Sequence, residues 1–302
     1  MTYSLYPCYN HIMETIRIEC PDDWNDYELI DTGNGEKLER FGDYRLIRPD
    51  PRILWNKRLP EEVWKSADAS YNRLDTTTGA WDIKKTPPDP WHIRYNSLIF
   101  TLRPTEFKHL GVFPEQAVNW NWLMQTINGK PLKILNLFAY TGGATMAALS
   151  AGAHVTHVDA VKSTVDWAHE NVVLSDMDNK PVRWIEDDAY KFVMREKKRG
   201  NTYDGVIMDP PRFGRGPKGE VWKLEHDLPK LMKEVAGILS PDPTLFLINA
   251  YTADISSIVL ENLLNDTFQN RYGETTFGEL GLKETTGKRM LPNGIFARWS
   301  KK

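Results

Sequence analysis

Cysteine is nearly missing from this chain. Only Cys8 and Cys20 occur in 302 residues, too few for a disulfide-built scaffold and in keeping with a reducing compartment. Long apolar runs are missing too: nothing approaches the roughly eighteen residues that a membrane helix needs. No charged-then-apolar signal segment opens the sequence, so a cytoplasmic protein is expected. There is no surplus of positive charge either. Lys plus Arg number 38 against 41 Asp plus Glu, a net charge of −3, whereas a nucleic-acid-binding domain is usually basic. No Gly-Lys-Ser or Gly-Lys-Thr follows the glycine turn described below, which sets aside a phosphate-loop nucleotidase. His154 and His157 fall on opposite faces of a strand-like run, an arrangement unsuited to zinc. No internal repeat or low-complexity tract is evident.

What is present begins at Asn136-Leu137-Phe138-Ala139-Tyr140-Thr141-Gly142-Gly143. Before it, Leu132-Lys133-Ile134-Leu135 is a short apolar run that predicts a buried strand. After it, Ala144 to Leu149 is a run of small residues suited to a closely packed helix. Strand, glycine turn and helix bring backbone N–H groups and the positive end of the helix dipole to one point, where a ligand can approach closely. Taken alone, a glycine pair is as often a plain turn.

The continuation carries more. His154 to Val158 predicts a second strand ending in Asp159, sixteen residues beyond Gly143. An acid at that place accepts hydrogen bonds from both hydroxyls of a ribose. Val182 to Ile185 predicts a third strand, closed by Glu186-Asp187-Asp188-Ala189, and Asp204 to Met208 a fourth, closed by Asp209-Pro210-Pro211-Arg212-Phe213. In an open parallel sheet, ligands lie beyond the carboxyl ends of the strands, so Asp159, Asp188 and Asp209 are expected to converge. For Asp187 and Asp188 helix capping is a competing role. Thr244 to Asn249 predicts a fifth strand and Asp254 to Leu264 a helix. Thr276 to Leu282 and Gly294 to Trp299 follow, separated by too few residues for a crossover helix, so they should pair as an antiparallel hairpin.

The first ninety residues have a different texture. Tyr27 to Phe41 alternates about Asn34-Gly35, a hairpin signal, and Tyr44 to Arg48 is strand-like. Pro87, Pro88 and Pro90 form a stiff break, after which Trp91 to Leu102 offers two strands turned at Asn96-Ser97. We expect a small β-rich accessory domain over 1–90 and a second domain over 91–302, beginning with a β-rich lead-in. Trp24, Trp55, Trp64, Trp81 and Trp91 are able to stack on bases, with burial in the core as the commoner fate of such residues.

A parallel sheet closed by such a hairpin is the class I methyltransferase plan, an α/β Rossmann-like fold. From about residue 95 onward the chain resembles bacterial S-adenosylmethionine-dependent methyltransferases of the group that includes large-subunit ribosomal RNA methyltransferases. The matching pieces are Lys108 to Gln116, Asn136 to Gly143, Asp159, Asp188-Ala189 and Asp209 to Phe213. In the superfamily's commonest turn, an acid and two glycines stand where this chain has Asn136, Phe138 and Tyr140. The Phe-x-Tyr-Thr-Gly-Gly form is similar to that of the RNA-modifying group.

The resemblance implies S-adenosylmethionine as cofactor, held by Phe113, Gln116, Asn136, Phe138, Ala139, Tyr140, Thr141, Gly142, Gly143, Asp159, Ala160, Asp188, Ala189 and Asp209. Phe113 to Gln116 would line its methionine side; a plain helix start with proline is the simpler account of that segment. It also places Asp209 to Phe213 between cofactor and acceptor. Asp209, Pro210, Pro211 and Phe213 are the expected catalytic group. Proline fixes the backbone and leaves carbonyls for an amine or ring nitrogen, Phe213 is suited to stack on a base, and Asp209 to orient the acceptor. Two prolines also end a strand without any further role.

An RNA acceptor would meet Arg212, Arg215 and Lys218, with Lys223 beyond, although solvated charge is common on any surface. The basic run from Arg195 to Arg199 says less, because cations complement a helix C-terminus. Methylating a cytosine carbon requires a thiolate near the base. In the resembling cytosine enzymes that thiol follows the fifth strand, where this chain has Asn249-Ala250-Tyr251-Thr252. A base nitrogen is therefore the expected acceptor. Methylation of a small molecule or protein, and a binding module without turnover, remain as alternatives.

Overall fold

The computed structural model describes residues 16–22, 24–73, 79–216, 219–251, 255–269 and 271–302. In chain order the strands and helices of the amino-terminal part are β1 (Arg17–Glu19), β2 (Tyr27–Gly33), β3 (Glu36–Phe41), β4 (Tyr44–Pro49), α1 (Glu61–Lys65), β5 (Ala69–Arg73), β6 (Gly79–Ile83), β7 (His92–Tyr95) and β8 (Leu98–Thr101). Then come α2 (Ala117–Ile127), β9 (Lys133–Leu137), α3 (Gly143–Ser150), β10 (His154–Asp159), α4 (Lys162–Leu174), β11 (Val182–Glu186), α5 (Ala189–Arg199) and β12 (Gly205–Met208). The chain finishes with β13 (Phe213–Arg215), β14 (Val221–Lys223), α6 (Leu224–Ala236), β15 (Leu245–Ala250), α7 (Ser257–Phe268), β16 (Gly273–Lys283) and β17 (Met290–Lys301).

Among the described residues the large sheet has eight strands in the order β1-β16-β17-β15-β12-β9-β10-β11. From β15 to β11 every neighbouring pair is parallel, and β17 runs antiparallel to both β15 and β16. The fold is thus the Rossmann-like α/β sheet with an antiparallel terminal hairpin. Its central strands are buried on both faces, which is why they read as continuous apolar runs. Alternate residues feed two cores: Ile134, Ile207 and Leu247 pack with α2 and α3 on one face. Leu135, Val206 and Phe246 pack with α5, α6 and α7 on the other. Strand order reverses between β9 and β12, so the crevice outside their carboxyl ends is the place for a ligand. No helix among the described residues is long and apolar enough to cross a membrane.

The amino-terminal part forms a five-stranded sheet, β2-β3-β4-β5-β6, and β7 with β8 forms a separate two-stranded ribbon. The hairpin turn falls at Asn34 and Gly35, with φ of 54° and 78°, the left-handed pair that a two-residue turn favours. β1 lies outside this sheet: it joins the large one, parallel to β16. The two parts share one core, in which Trp24 and Trp91 pack with Trp120 and Leu123 of α2. Trp24, Trp64 and Trp91 are buried, while Trp55 and Trp81 are half-buried.

The small sheet is also tied to the tip of the β16–β17 hairpin. Thr285 N–H donates to Leu29 O at 2.9 Å, and Arg289 reaches Thr32 O at 3.1 Å and Asn56 O at 2.9 Å. Thr32 Oγ1 donates to the buried Glu284 carboxylate. The helix expected over 254–264 is found at Ser257–Phe268, with Asp254 outside the described residues.

Candidate functional site

At the carboxyl ends of the parallel strands lies a cleft of about 730 Å³. Each strand delivers a residue to it as the chain leaves the sheet. Phe138 follows β9, Asp159 ends β10, Asp187 and Asp188 follow β11, Asp209 follows β12 and Tyr251 follows β15. A smaller pocket of about 50 Å³ adjoins it, sharing Phe113, Phe138, Tyr140 and Asp209, and lined as well by Gln116, Asn136, Ala139, Thr141 and Gly143. Ala160, Ala189, Pro210, Pro211, Arg212, Phe213 and Arg215 line the larger cleft. Of the residues singled out in the sequence, Gly142 lines neither, and Lys218 lies outside the described residues.

The turn between β9 and α3 explains how aromatics replace glycines in it. Phe138, Tyr140 and Gly142 all take positive φ, at 55°, 49° and 86°. For bulky residues this is a strained conformation, costing on the order of 1–3 kcal/mol each. Surrounding contacts hold it. Tyr140 N–H donates to Asp159 Oδ2 at 2.8 Å, and the Phe138 ring packs on Trp222 with centroids 5.0 Å apart. The strain turns both rings toward the cleft, while the Gly142 turn sits against Ala168 of α4.

Asp159 is mostly buried, and burial pushes its carboxyl up, opposed by backbone N–H donors from Val161 and Tyr140. Asp188 both lines the cleft and caps α5, its Oδ1 accepting from Lys191 N–H at 2.9 Å, so the two roles coexist. Asp187 pairs with Arg195.

Asp209 differs from these. It is enclosed, and burial together with the neighbouring Glu115 carboxylate pushes it up to about 7. Its Oδ1 is buried with no hydrogen-bond partner among the described residues. A buried carboxylate oxygen without a donor is costly and marks a place where a ligand group completes the bonding. The proline carbonyls are only partly available for that purpose: Pro211 O accepts the Trp222 indole N–H at 2.6 Å. The same indole braces the short β13–β14 hairpin, which carries exposed Phe213 and Arg215 out over the cleft. Arg212 is paired with Glu225 at 3.3 Å.

Behind Phe113 a chain of side-chain amides fixes the wall. Gln116 Nε2 donates to Tyr251 Oη at 2.5 Å, Asn119 Nδ2 donates to Gln116 Oε1 and Asn249 Oδ1, both at 2.8 Å, and Arg298 Nε donates to Asn119 Oδ1 at 2.8 Å. Phe113 packs between Tyr140 and Tyr251, with centroids 5.5 Å from each. Asn136 is tied into the sheet through Thr145 Oγ1, which also meets His157 Nδ1. Burial pulls His157 down to about 3, so it is a neutral structural ring.

Sequence reasoning missed the opposite wall. Lys37, Arg48, Asp50, Arg52 and Arg73 come from the small sheet and its connections, joined by Lys108 and His109. Only Lys108 and His109 lay in a recognisable motif; the others have no local signature. Nor did the sequence give Tyr251 or Trp222 a role at the cleft. Among the described residues, no group of three or more His, Cys, Asp or Glu is placed to hold a metal ion. The acidic, aromatic half of the cleft suits a ligand with a positive centre, an aromatic ring and hydroxyls to donate.

Comparison with known proteins agrees with that chemistry. A family model described as S-adenosylmethionine-dependent methyltransferase matches residues 69–274. A crystal structure of a SAM-dependent methyltransferase from Agrobacterium tumefaciens superposes with a TM-score of 0.91 at 42% identity, covering 95% of this chain and 94% of that one. Ribosomal RNA large subunit methyltransferase K of Neisseria meningitidis is 24% identical over 78% of this chain and 68% of its own length. Ribosomal RNA large subunit methyltransferase K/L of Pseudoalteromonas atlantica is 31% identical over 51% of this chain, a match that spans only 21% of that relative.

Proposed function

Because the chain belongs to the S-adenosylmethionine-dependent methyltransferase family, we propose that it methylates a base nitrogen in ribosomal or other structured RNA, in the cytoplasm. It is an enzyme that uses S-adenosylmethionine, which when bound supplies an electrophilic methyl group on a cationic sulfur. The residues present fit that cofactor. Asp159 retains lone pairs for ribose hydroxyls, Phe113, Phe138 and Tyr140 offer aromatic faces, and the carboxylates of the acidic wall suit a positive sulfur. Gln116, Asn136, Ala139, Thr141 and Gly143 form the floor on the Phe113 side, with Ala160, Asp188 and Ala189 on the Asp159 side. Gly142 acts by shaping the turn.

The observation that carries the reading is the buried, orphaned Oδ1 of Asp209, at the edge between the acidic half and the β13–β14 hairpin. With a carboxyl near neutrality, Asp209 orients an N–H acceptor and takes up the proton that the nitrogen sheds, while Phe213 stacks on the base. Pro210 and Pro211 hold the backbone that aims Asp209. The RNA assignment is supported by the names of the relatives above and by the cations around the cleft mouth. Incubating the enzyme with labelled S-adenosylmethionine and deproteinised RNA, protein and metabolite fractions tests it. Label should enter RNA; label confined to protein or metabolites would overturn the acceptor class.

Arg212 and Arg215 on the hairpin, with Lys218, are proposed to meet RNA phosphates. Arg212→Ala or Arg215→Ala should weaken RNA binding and lower the salt slope by about 0.7 for each phosphate no longer neutralised. An unchanged slope would return this hairpin to ordinary surface.

A nitrogen acceptor needs no thiolate. At the end of β15 the cleft receives Tyr251. Cys20 follows β1 at the far edge of the large sheet, and Cys8 lies outside the described residues. Replacing both cysteines by serine should leave turnover intact. Loss of activity in that variant, with wild type trapped on 5-fluorocytosine RNA, would defeat the nitrogen assignment.

A further inference from the structure

The wall facing the acidic half of the cleft is built from the small amino-terminal sheet. It presents Lys37, Arg48, Arg52, Arg73 and Lys108 to the same cavity as Asp159 and Asp209. Two carboxylates answer these five cations. Glu39 binds Arg48 through two bonds of 2.7 and 2.8 Å and lies 3.3 Å from Lys37, and Asp50 holds Arg52 at 2.6 and 2.8 Å. With Glu115, which lines the same cavity and attracts Lys37 and Arg52, as a third carboxylate, two positive charges are left over. Their field is felt locally: burial first, then Lys37, Arg48 and Arg73 among its neighbours, pull Lys108 down to about 8. Burial with Arg48, Lys108 and Lys37 brings His109 to about 3.

This crowding is rigid. Arg48 Nη1 donates to Lys108 O at 3.1 Å, Lys108 Nζ to Pro49 O at 2.8 Å, and Arg52 Nη2 to Asn293 Oδ1 at 2.9 Å. These bonds fix Arg48, Arg52 and Lys108 before any ligand arrives. Preorganised cations in a cleft of low dielectric are worth more to an anion than the same charges on an open surface. A cationic sulfur is drawn to the opposite, acidic side, which leaves the cationic wall for an anionic group.

We propose that this wall seats a backbone phosphate of the acceptor RNA, so that the amino-terminal sheet, and not only the β13–β14 hairpin, positions the target nucleotide. This rests on the RNA reading above. Held at a phosphate on one side, the base is carried toward Asp209 and Phe213 on the other. Phosphate contacts of this kind fix register and carry no sequence information.

The test compares wild type with Lys37→Gln/Arg73→Gln in binding a fluorescent single-stranded RNA between about 50 and 200 mM salt, with S-adenosylhomocysteine affinity measured by calorimetry. The double variant should bind RNA about tenfold more weakly, with a salt slope smaller by about 0.7 for the one phosphate no longer neutralised, and should keep its S-adenosylhomocysteine affinity. Melting curves check folding; if the pair is destabilised, Arg73→Gln alone carries the test, since Arg73 is exposed. Unchanged affinity and slope, in an enzyme whose wild type labels RNA, would overturn this inference and leave the RNA reading standing. Loss of S-adenosylhomocysteine affinity with RNA binding intact would assign the wall to the cofactor's carboxylate and overturn it too. Inorganic phosphate or a mononucleotide displacing the RNA at concentrations matching the RNA itself would overturn it in favour of a small phosphorylated acceptor. Failure of the RNA reading is a separate result: no label enters RNA from wild type.

Discussion

Asp209→Asn is expected to lower turnover by about a hundredfold or more and, in the protein without ligand, to raise stability above neutral pH. Both effects have one origin. In the folded chain the Asp209 carboxyl is pushed up to about 7 by burial and by Glu115, from an ordinary value of 3.8. Below pH 3.8 the group is neutral in both states and costs nothing. As pH rises from 3.8 toward 7 the unfolded chain loses the proton while the folded one retains it, so this group's contribution to stability falls. Above about 7 the folded protein carries a buried charge, and the loss levels off at a few kcal/mol, each pH step being worth about 1.4.

The Asn variant never ionises. Its melting temperature should therefore gain on wild type progressively between pH 4 and 7, and the gain should stop growing above that. Turnover of wild type should rise with pH through about 7 as the carboxylate forms, and the variant should lose that limb. S-adenosylmethionine affinity should change much less than kcat, because the residue acts on the reacting step. Normal turnover in the variant, or a stability difference independent of pH, would remove Asp209 from the chemistry.

Why Asp209 was visible in the sequence, and the cationic wall was not, is a matter of distance along the chain. β9, β10, β11 and β12 are short apolar runs, most of them closed by acids. Run and acid are adjacent, so local reading captures both the strand and the residue it delivers. The terminal hairpin was legible from connection length, and the small sheet's first hairpin from Asn34-Gly35. β1 was not: Arg17-Ile18-Glu19 has no pattern of its own, and its partner, Gly278, lies at the other end of the chain. Gly278 tells the same story from the other side, since a Cβ there would meet Arg17 O at 2.1 Å. Lys37, Arg48, Arg52 and Arg73 stand tens of residues before Lys108 and meet it only in the fold, through contacts such as Arg48 to Lys108 O. Phe138 and Tyr140 ran against propensity: nothing local says that a bulky residue will take a left-handed conformation, and contacts with Trp222, Asp159 and Phe113 hold them there.

The largest effect on cofactor binding is expected at Asp159, and its geometry decides which substitution is informative. Its Oδ2 accepts from Tyr140 N–H at 2.8 Å and its Oδ1 from Val161 N–H at 3.0 Å, so the carboxylate both braces the strained turn and faces the cleft. Asp159→Ala removes ribose acceptors and turn bracing together, and calorimetry should show a loss of roughly 2 kcal/mol or more in S-adenosylmethionine binding, as expected when charged hydrogen bonds are removed. Asp159→Asn separates the two contributions. An amide has one acceptor oxygen, which can brace Tyr140 or Val161 but cannot replace both carboxylate oxygens. If ribose recognition dominates, Asn should lose most of what Ala loses while its melting temperature stays near wild type. If bracing dominates, Asn and Ala should both melt early, and affinity should follow stability. Wild-type affinity in both variants would take Asp159 out of the cofactor site. Tight binding of a nicotinamide dinucleotide by the wild-type protein, with no S-adenosylmethionine binding, would overturn the use of the cleft altogether, since the acid at the end of β10 serves ribose recognition in either kind of sheet.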